Sequence, residues 1–106
     1  MPLTLVQSQT KRDEYSWDWE VHLEGNKQDL DQIEYVEYAL HETYPKPIRR
    51  ISDRDSGFQL KENGWGEAPL YVTIHYKDEK RRSDYQAYRL NFKEPTTQSA
   101  RWMALR

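Results

Sequence analysis

Tyr15-Ser16-Trp17-Asp18-Trp19-Glu20-Val21-His22-Leu23-Glu24 is the stretch on which the reading of this chain turns. Trp17, Trp19, Val21 and Leu23 occupy alternate positions, and Asp18, Glu20, His22 and Glu24 fill those between. Successive side chains of an extended backbone point to opposite sides, so a two-residue period builds one apolar face and one wet face. The stretch reads as a β-strand over residues 15–24, buried on one side, and Gly25-Asn26 turns the chain after it.

Upstream, Leu3, Leu5 and Gln7 alternate with Thr4, Val6 and Ser8. This predicts a short strand, expected at a sheet edge because Lys11-Arg12-Asp13-Glu14 interrupts it. Downstream, residues 29–41 admit two readings. In one, Asp29 caps a helical turn before Ile33, Val36, Tyr38 and Leu40 continue as a strand, the two-residue period winning from Val36 onward. In the other, a single amphipathic helix covers 29–40, since Leu30, Ile33, Val36 (or Glu37) and Leu40 also fit helical spacing. The strand is preferred. Residues 48–51 and Phe58-Gln59-Leu60 read as short edge strands on either side of a loop at 52–57. Leu70, Val72, Ile74 and Tyr76 alternate cleanly, a charged hairpin covers 77–83, and Tyr88, Leu90 and Phe92 alternate in the last strand. About seven to eight short strands, with turn signals roughly every ten residues, predict an all-β antiparallel sandwich. The domain is expected over residues 1–95, with 96–106 as an extra turn, tail or linker, polar apart from Trp102, Met103 and Leu105.

Composition narrows the function. A chain of 106 residues is one domain by length. Its 16 Lys and Arg against 18 Asp and Glu leave a net charge of -2, without the basic excess that phosphate contacts demand, so nucleic acid is not expected as a partner. Cysteine is absent, which removes disulfides, thiolate metal sites and cysteine redox chemistry. Only 36% of residues are hydrophobic, but four Trp and eight Tyr can each bury roughly 150–250 Å², so rings supply much of the core. No apolar run is long enough for membrane insertion, and residues 1–10 lack a signal-peptide pattern. The chain reads as soluble, whole or cut from something longer.

Catalytic signals are missing. His22 and His75 fall on the wet faces of their strands and read as solvated, and His-Glu-x-x-His metal spacing does not occur. There is no Gly-x-Ser-x-Gly elbow and no phosphate-binding glycine loop, so neither an enzyme nor a cofactor is expected. Arg49-Arg50 and Lys80-Arg81-Arg82 read as solvated hairpin tips, and Trp17 and Trp19 as core. Two loops stand apart: Leu40-His41-Glu42-Thr43-Tyr44-Pro45-Lys46-Pro47, stiffened by its prolines, and Asn63-Gly64-Trp65-Gly66-Glu67, where glycines bracket a ring. One aromatic on each of two turns suggests a slot, although spacing alone weighs core and ligand roles evenly.

With Trp19-x-Val21, Val36-x-Tyr38-x-Leu40 and Gly57-Phe58, these two motifs resemble, in order and across residues 15–92, the YEATS domain family. The resemblance implies an immunoglobulin-like β-sandwich, in agreement with the strand pattern, and a family whose eukaryotic members read acetylated or crotonylated lysine. His41, Thr43 and Tyr44 match the first pocket loop, Gly64, Trp65 and Gly66 the second, and Tyr15 an aromatic before the first long strand. The implied mechanism slides a planar acyl-amide between Tyr44 and Trp65, with the Thr43 hydroxyl and the Trp65 backbone N–H taking its polar atoms. Ala68-Pro69 stands where the family commonly has Phe, Asp55-Ser56-Gly57-Phe58 replaces a Pro-Pro-aromatic segment, and Arg89 occupies a late acidic position. These departures point to the prokaryotic branch and hence a bacterial cytoplasmic protein, or a nuclear one if eukaryotic. Ala68 implies the loss of one wall and a wider or weaker slot, and Arg89 argues against basic histone flanks.

Two functions follow. The first is an acyl-lysine reader whose partner is an acylated protein or peptide. The second is an adaptor whose loops contact other domains of a longer signalling or effector protein, the rings acting as an interface hot spot. Carbohydrate stacking on Tyr44 and Trp65 ranks last, for want of a polar constellation.

Overall fold

The structure, a computed structural model, describes residues 3–64, 69–89 and 97–102. In chain order its strands are β1 (Leu3–Lys11), β2 (Trp17–Glu24), β3 (Ile33–Ala39), β4 (Ile48–Ile51), β5 (Leu60–Gly64), β6 (Pro69–Tyr76), β7 (Asp84–Arg89) and β8 (Thr97–Trp102). A five-residue helix, α1 (Lys27–Asp31), joins β2 to β3. The strands form two four-stranded antiparallel sheets, ordered β5-β2-β1-β8 and β4-β3-β6-β7.

The two-residue period of β2 and β6 is realised as expected. Trp19, Val21 and Leu23 face Val36 and Tyr38 of β3 and Leu70, Val72 and Ile74 of β6 in one buried cluster. Each such side chain contributes roughly 1.5–3 kcal/mol on burial, and the two inner faces together make the core. A polar link crosses it: the Tyr88 hydroxyl donates to Gln7 Oε1 (2.9 Å), and Gln7 Nε2 donates to Gln9 Oε1 (3.1 Å). Buried amides need such partners, which is why two glutamines are tolerated on the inner face of β1.

Long-range pairing changes several local expectations. β1 is interior rather than an edge, with β2 on one side and β8 on the other. The charged run at 11–14 ends the strand, as expected, without placing it at an edge. Residues 97–102, expected in a tail or linker, supply β8, with Leu5 opposite Ala100 and Val6 opposite Ser99. The turn before β3 is capped by Asn26, whose side chain accepts from the Asp29 N–H at 2.8 Å, so the helix starts earlier than an Asp29 cap would allow. In β3 an irregularity between Ile33 and Tyr35 brings both Ile33 and Val36 inward. A bulge of this kind adds one residue to the count, and it produces the three-residue spacing that imitates a helix. Phe58 does not begin a strand. It has φ 57 directly after Gly57 at φ 72, its ring is fully buried, and its carbonyl accepts from the Tyr38 hydroxyl at 2.6 Å. The strand starts at Leu60 instead. Leu90 and Phe92 lie outside the described residues.

Register places one set of loops together. Trp17, the first residue of β2, pairs with Gly64, the last of β5, and Ala39, the last of β3, pairs with both Ile48 and Tyr71. The connections at 12–16 and 40–47 therefore meet, at one end of the sandwich, the point where β5 stops and β6 begins.

Candidate functional site

The 40–47 loop is closed at its base by Leu40 N–H donating to Pro47 O (2.8 Å) and tightened by Tyr44 N–H donating to His41 O (3.0 Å). Between the two prolines Lys46 takes φ 50, a left-handed conformation that is unfavourable for a residue with a Cβ. Arg49 holds that turn. Its guanidinium donates to Lys46 O (2.6 Å) and Pro45 O (2.9 Å) and forms an ion pair with Glu62 of β5 (2.6 Å). Expected as a solvated tip, Arg49 is instead only 24% exposed, because its position opposite Tyr38 turns it inward. The planar five-donor fork lets one side chain grip two carbonyls and a carboxylate of the opposite sheet. Arg50 points outward to Glu37 (2.9 Å), whose hydrogen bond raises its pKa. Arg81 is likewise more than a solvated tip, lying 3.7 Å above the Tyr76 ring and donating to Gln32 Oε1.

Tyr44 joins the two sheets at this end. Its ring packs edge-on against Trp19, with centroids 6.4 Å apart and planes at 89°, and its oxygen accepts from the Trp19 indole N–H at 3.3 Å. Burial pushes the Tyr44 phenol pKa up, the Trp19 N–H pulls it down, Glu62 pushes it up and Arg49 draws it back. The hydroxyl sits directly on Gly64, where a Cβ would collide with it and would also approach Trp19 Nε1 to 3.2 Å. Gly64 is therefore required for close approach, and its neighbour Trp65 follows from a strand end to which Tyr44 is fitted.

His41 and Thr43 are exposed and joined to each other. The Thr43 N–H donates to His41 Nδ1 (3.2 Å), so in the neutral ring the proton is on Nε2. Thr43 Oγ1, 2.9 Å from the same Nδ1, then donates its own hydrogen there and keeps its lone pairs for an outside donor. Tyr15 is 77% exposed on the 12–16 connection. That connection is folded by Asp13 Oδ1, which accepts from the N–H groups of Tyr15 (2.8 Å) and Ser16 (2.9 Å), and these bonds hold the Asp13 carboxyl below its ordinary pKa. Trp65 and Gly66, with Ala68, lie outside the described residues.

Trp19, Arg49 and Glu62 support the site, and none was singled out for it by sequence. Trp19 carried the one available signal, since an inward indole near a strand end needs an acceptor for its N–H. A depression of about 490 Å³ lies over β1, β2 and β5 between Ser8, Asp18, Glu20, Lys61 and Asn63, and its lining also includes Trp19 and Glu62. Its carboxylates are already engaged by Asn63, Arg12, Gln59 and Arg49. His22 and His75 stand on outer faces, His22 bonded to Glu24 (2.9 Å) and His75 stacked on Tyr35. Among the described residues, no group of three or more His, Asp or Glu is arranged to hold a metal, and no helix is long and apolar enough to cross a membrane.

Two facing antiparallel sheets with these loops gathered at one end define an immunoglobulin-like β-sandwich. A family profile described as prokaryotic YEATS domain matches residues 17–83, and the chain belongs to that family. Among curated relatives, transcription initiation factor TFIID subunit 14 of Schizosaccharomyces pombe is 36% identical over 66 residues, which is 58% of this chain and 27% of that protein. The protein AF-9 homolog of Saccharomyces cerevisiae is 33% identical over 63 residues, 58% of this chain and 27% of that protein. The chain thus spans about a quarter of the length of these relatives. Among solved structures, the Yaf9 YEATS domain bound to H3K27ac superposes with a TM-score of 0.83 at 22% identity, covering 95% of this chain and 80% of that one. The same domain recognizing an H3K122suc peptide gives 0.81 at 23% identity, covering 94% and 78%. At that identity the likeness establishes the fold.

Proposed function

We propose that this domain binds an acylated lysine on a protein or peptide, taking the flat acyl-amide between the rings of Tyr44 and Trp65. The observation that carries this reading is the seating of Tyr44 on Gly64, with the Trp19 N–H bonded to its oxygen. It supports a ring held in place one residue before Trp65, the arrangement a two-sided slot needs. Acylation removes the lysine charge, so the modified side chain enters a desolvating aromatic slot without the penalty of burying an unpaired ammonium. Thr43 Oγ1 accepts from the amide N–H because His41 Nδ1 takes its own hydrogen, and the Trp65 backbone N–H donates to the acyl carbonyl. Gly66 lets the chain leave the slot closely, and Tyr15 flanks its entrance. The flat, longer crotonyl group stacks over more ring than acetyl and is the preferred guest. Solved relatives in complex with acetylated and succinylated histone H3 support the ligand class.

The test is a titration of otherwise identical acetyl-, crotonyl- and unmodified-lysine peptides followed by indole fluorescence. Crotonyl-lysine is expected to bind most tightly and unmodified lysine not measurably, Trp65→Ala abolishing the signal with the fold intact. Thr43→Val keeps the shape but removes the acceptor, and is expected to weaken binding about tenfold. Equally negligible affinity for acylated and free lysine refutes the reading.

A further inference from the structure

The outer face of the β4-β3-β6-β7 sheet carries an apolar row that nothing in the slot uses. Register aligns Ile48, Ala39, Tyr71 and Ala87 straight across the four strands, and alternation turns them all away from the core, opposite to the buried Tyr38 and Val72. Ile48 is 54% exposed, Tyr71 40% and Tyr85 51%, and Tyr71 and Tyr85 stack at 6.1 Å with planes 11° apart. Scattered exposed apolar residues are ordinary, whereas a contiguous set on one sheet face marks a contact surface. The stacked rings hold each other, so little freedom remains to be lost on binding.

Position and size select the occupant. Ile48 and Ala39 are the strand residues that flank the 40–47 loop, and Tyr71 stands opposite Ala39, at the start of β6. An extended chain advances about 3.3 Å per residue, so a polypeptide with its lysine beside His41 and Thr43 reaches this row within roughly two or three residues. The half-exposed side chains offer on the order of 300 Å² of apolar surface, against the ~800 Å² that each partner of a stable dimer covers. That suits one or two peptide side chains rather than a second domain. Charge agrees, because the row itself is uncharged and the neighbouring Arg50 is neutralised by Glu37 at 2.9 Å. We infer that Ile48, Ala39 and Tyr71 form a second subsite, which takes an apolar side chain from the polypeptide flanking the acyl-lysine. This inference rests on the acyl-lysine reading and adds to it: the preferred target carries a leucine-like residue a short step from the modified lysine.

The test uses fluorescein-labelled crotonyl-lysine peptides in a glycine-serine background, with leucine moved through each flanking position in turn. Nα-acetyl-Nε-crotonyl-lysine amide serves as a competitor without flanks. Leucine at one position is expected to tighten binding about tenfold, the worth of partly burying one such side chain. The double variant Ile48→Ser, Tyr71→Ser, exposed at both positions and therefore expected to fold, loses that gain while binding the flankless amide as the unmodified protein does. If the amide binds but leucine gains nothing at any position, or the gain survives in the double variant, the subsite is refuted. A dimer in sedimentation that dissociates in the double variant overturns it too, by assigning the row to a second copy. If no acylated probe binds, the acyl-lysine reading falls and the subsite with it.

Discussion

Gly64→Ala is the substitution that most directly probes how the two loops are coupled. Gly64 does not take a left-handed φ, so alanine suits its backbone and would by itself stabilise the fold by about 0.4–1 kcal/mol through the unfolded chain. The added Cβ collides with the Tyr44 hydroxyl, however, and comes within 3.2 Å of Trp19 Nε1. Relief requires Tyr44 to swing away, breaking the Trp19 N–H bond and the edge-on ring contact. Overpacking of this kind costs roughly 1–3 kcal/mol, enough to reverse the sign. Melting should fall by roughly 4–8 °C for each kcal/mol lost in a domain of this size. Tyr44→Phe separates the causes. It removes the colliding oxygen and leaves ring Cζ at 3.5 Å, an ordinary contact, at the expense of one hydrogen bond worth about 0.5–1.5 kcal/mol. Urea unfolding of the two single variants and the double should show the double less destabilised than their sum by about 1 kcal/mol. Additive effects, or a neutral Gly64→Ala, would refute the seating of Tyr44 on Gly64 and the rigidity of the slot argued from it.

Arg49→Ala should release the Pro45-Lys46 carbonyls and leave Glu62 without its ion pair, lowering stability by about 1–2 kcal/mol after allowance for partial solvent screening. Acyl-lysine affinity should fall further than in Arg50→Ala, whose partner Glu37 lies on the outer face; equal effects would show that the loop does not depend on Arg49. Raising the pH should act through tyrosines. Burial pushes up the pKa of Tyr38, Tyr44, Tyr76 and Tyr88, helped at Tyr76 by its bond to the buried Asp84 carboxylate. A raised folded-state value favours the neutral phenol, so the stability it contributes is complete below about pH 10 and is lost as the pH rises through the folded-state values. An absorbance titration at the phenolate band with parallel circular dichroism should show these four ionising only as the fold is lost, and early ionisation of all eight would contradict it.

What could be read from the residues was whatever depends on neighbours. The alternation in Trp17–Glu24 and Pro69–Tyr76 determined two strands and their buried faces, because strand geometry alone gives a period of two. Strands spaced by turns implied a sandwich, and the two aromatic loops marked where the proposed slot lies. The placement of β1 inside its sheet was not legible, since that depends on residues 97–102 returning over the whole length of the chain. Ile33 and Val36 also fit helical spacing because a bulge shifts their phase; the period of two from Val36 onward favours the strand, and the pairing with β6 is that strand. Arg49 looked like a surface charge until the opposite sheet supplied Glu62. Gly64 shows the division most clearly. The sequence by itself determined that a glycine stood before Trp65 at a turn; only the tertiary structure decided that its hydrogen is needed because Tyr44, twenty residues earlier, occupies the space of a Cβ.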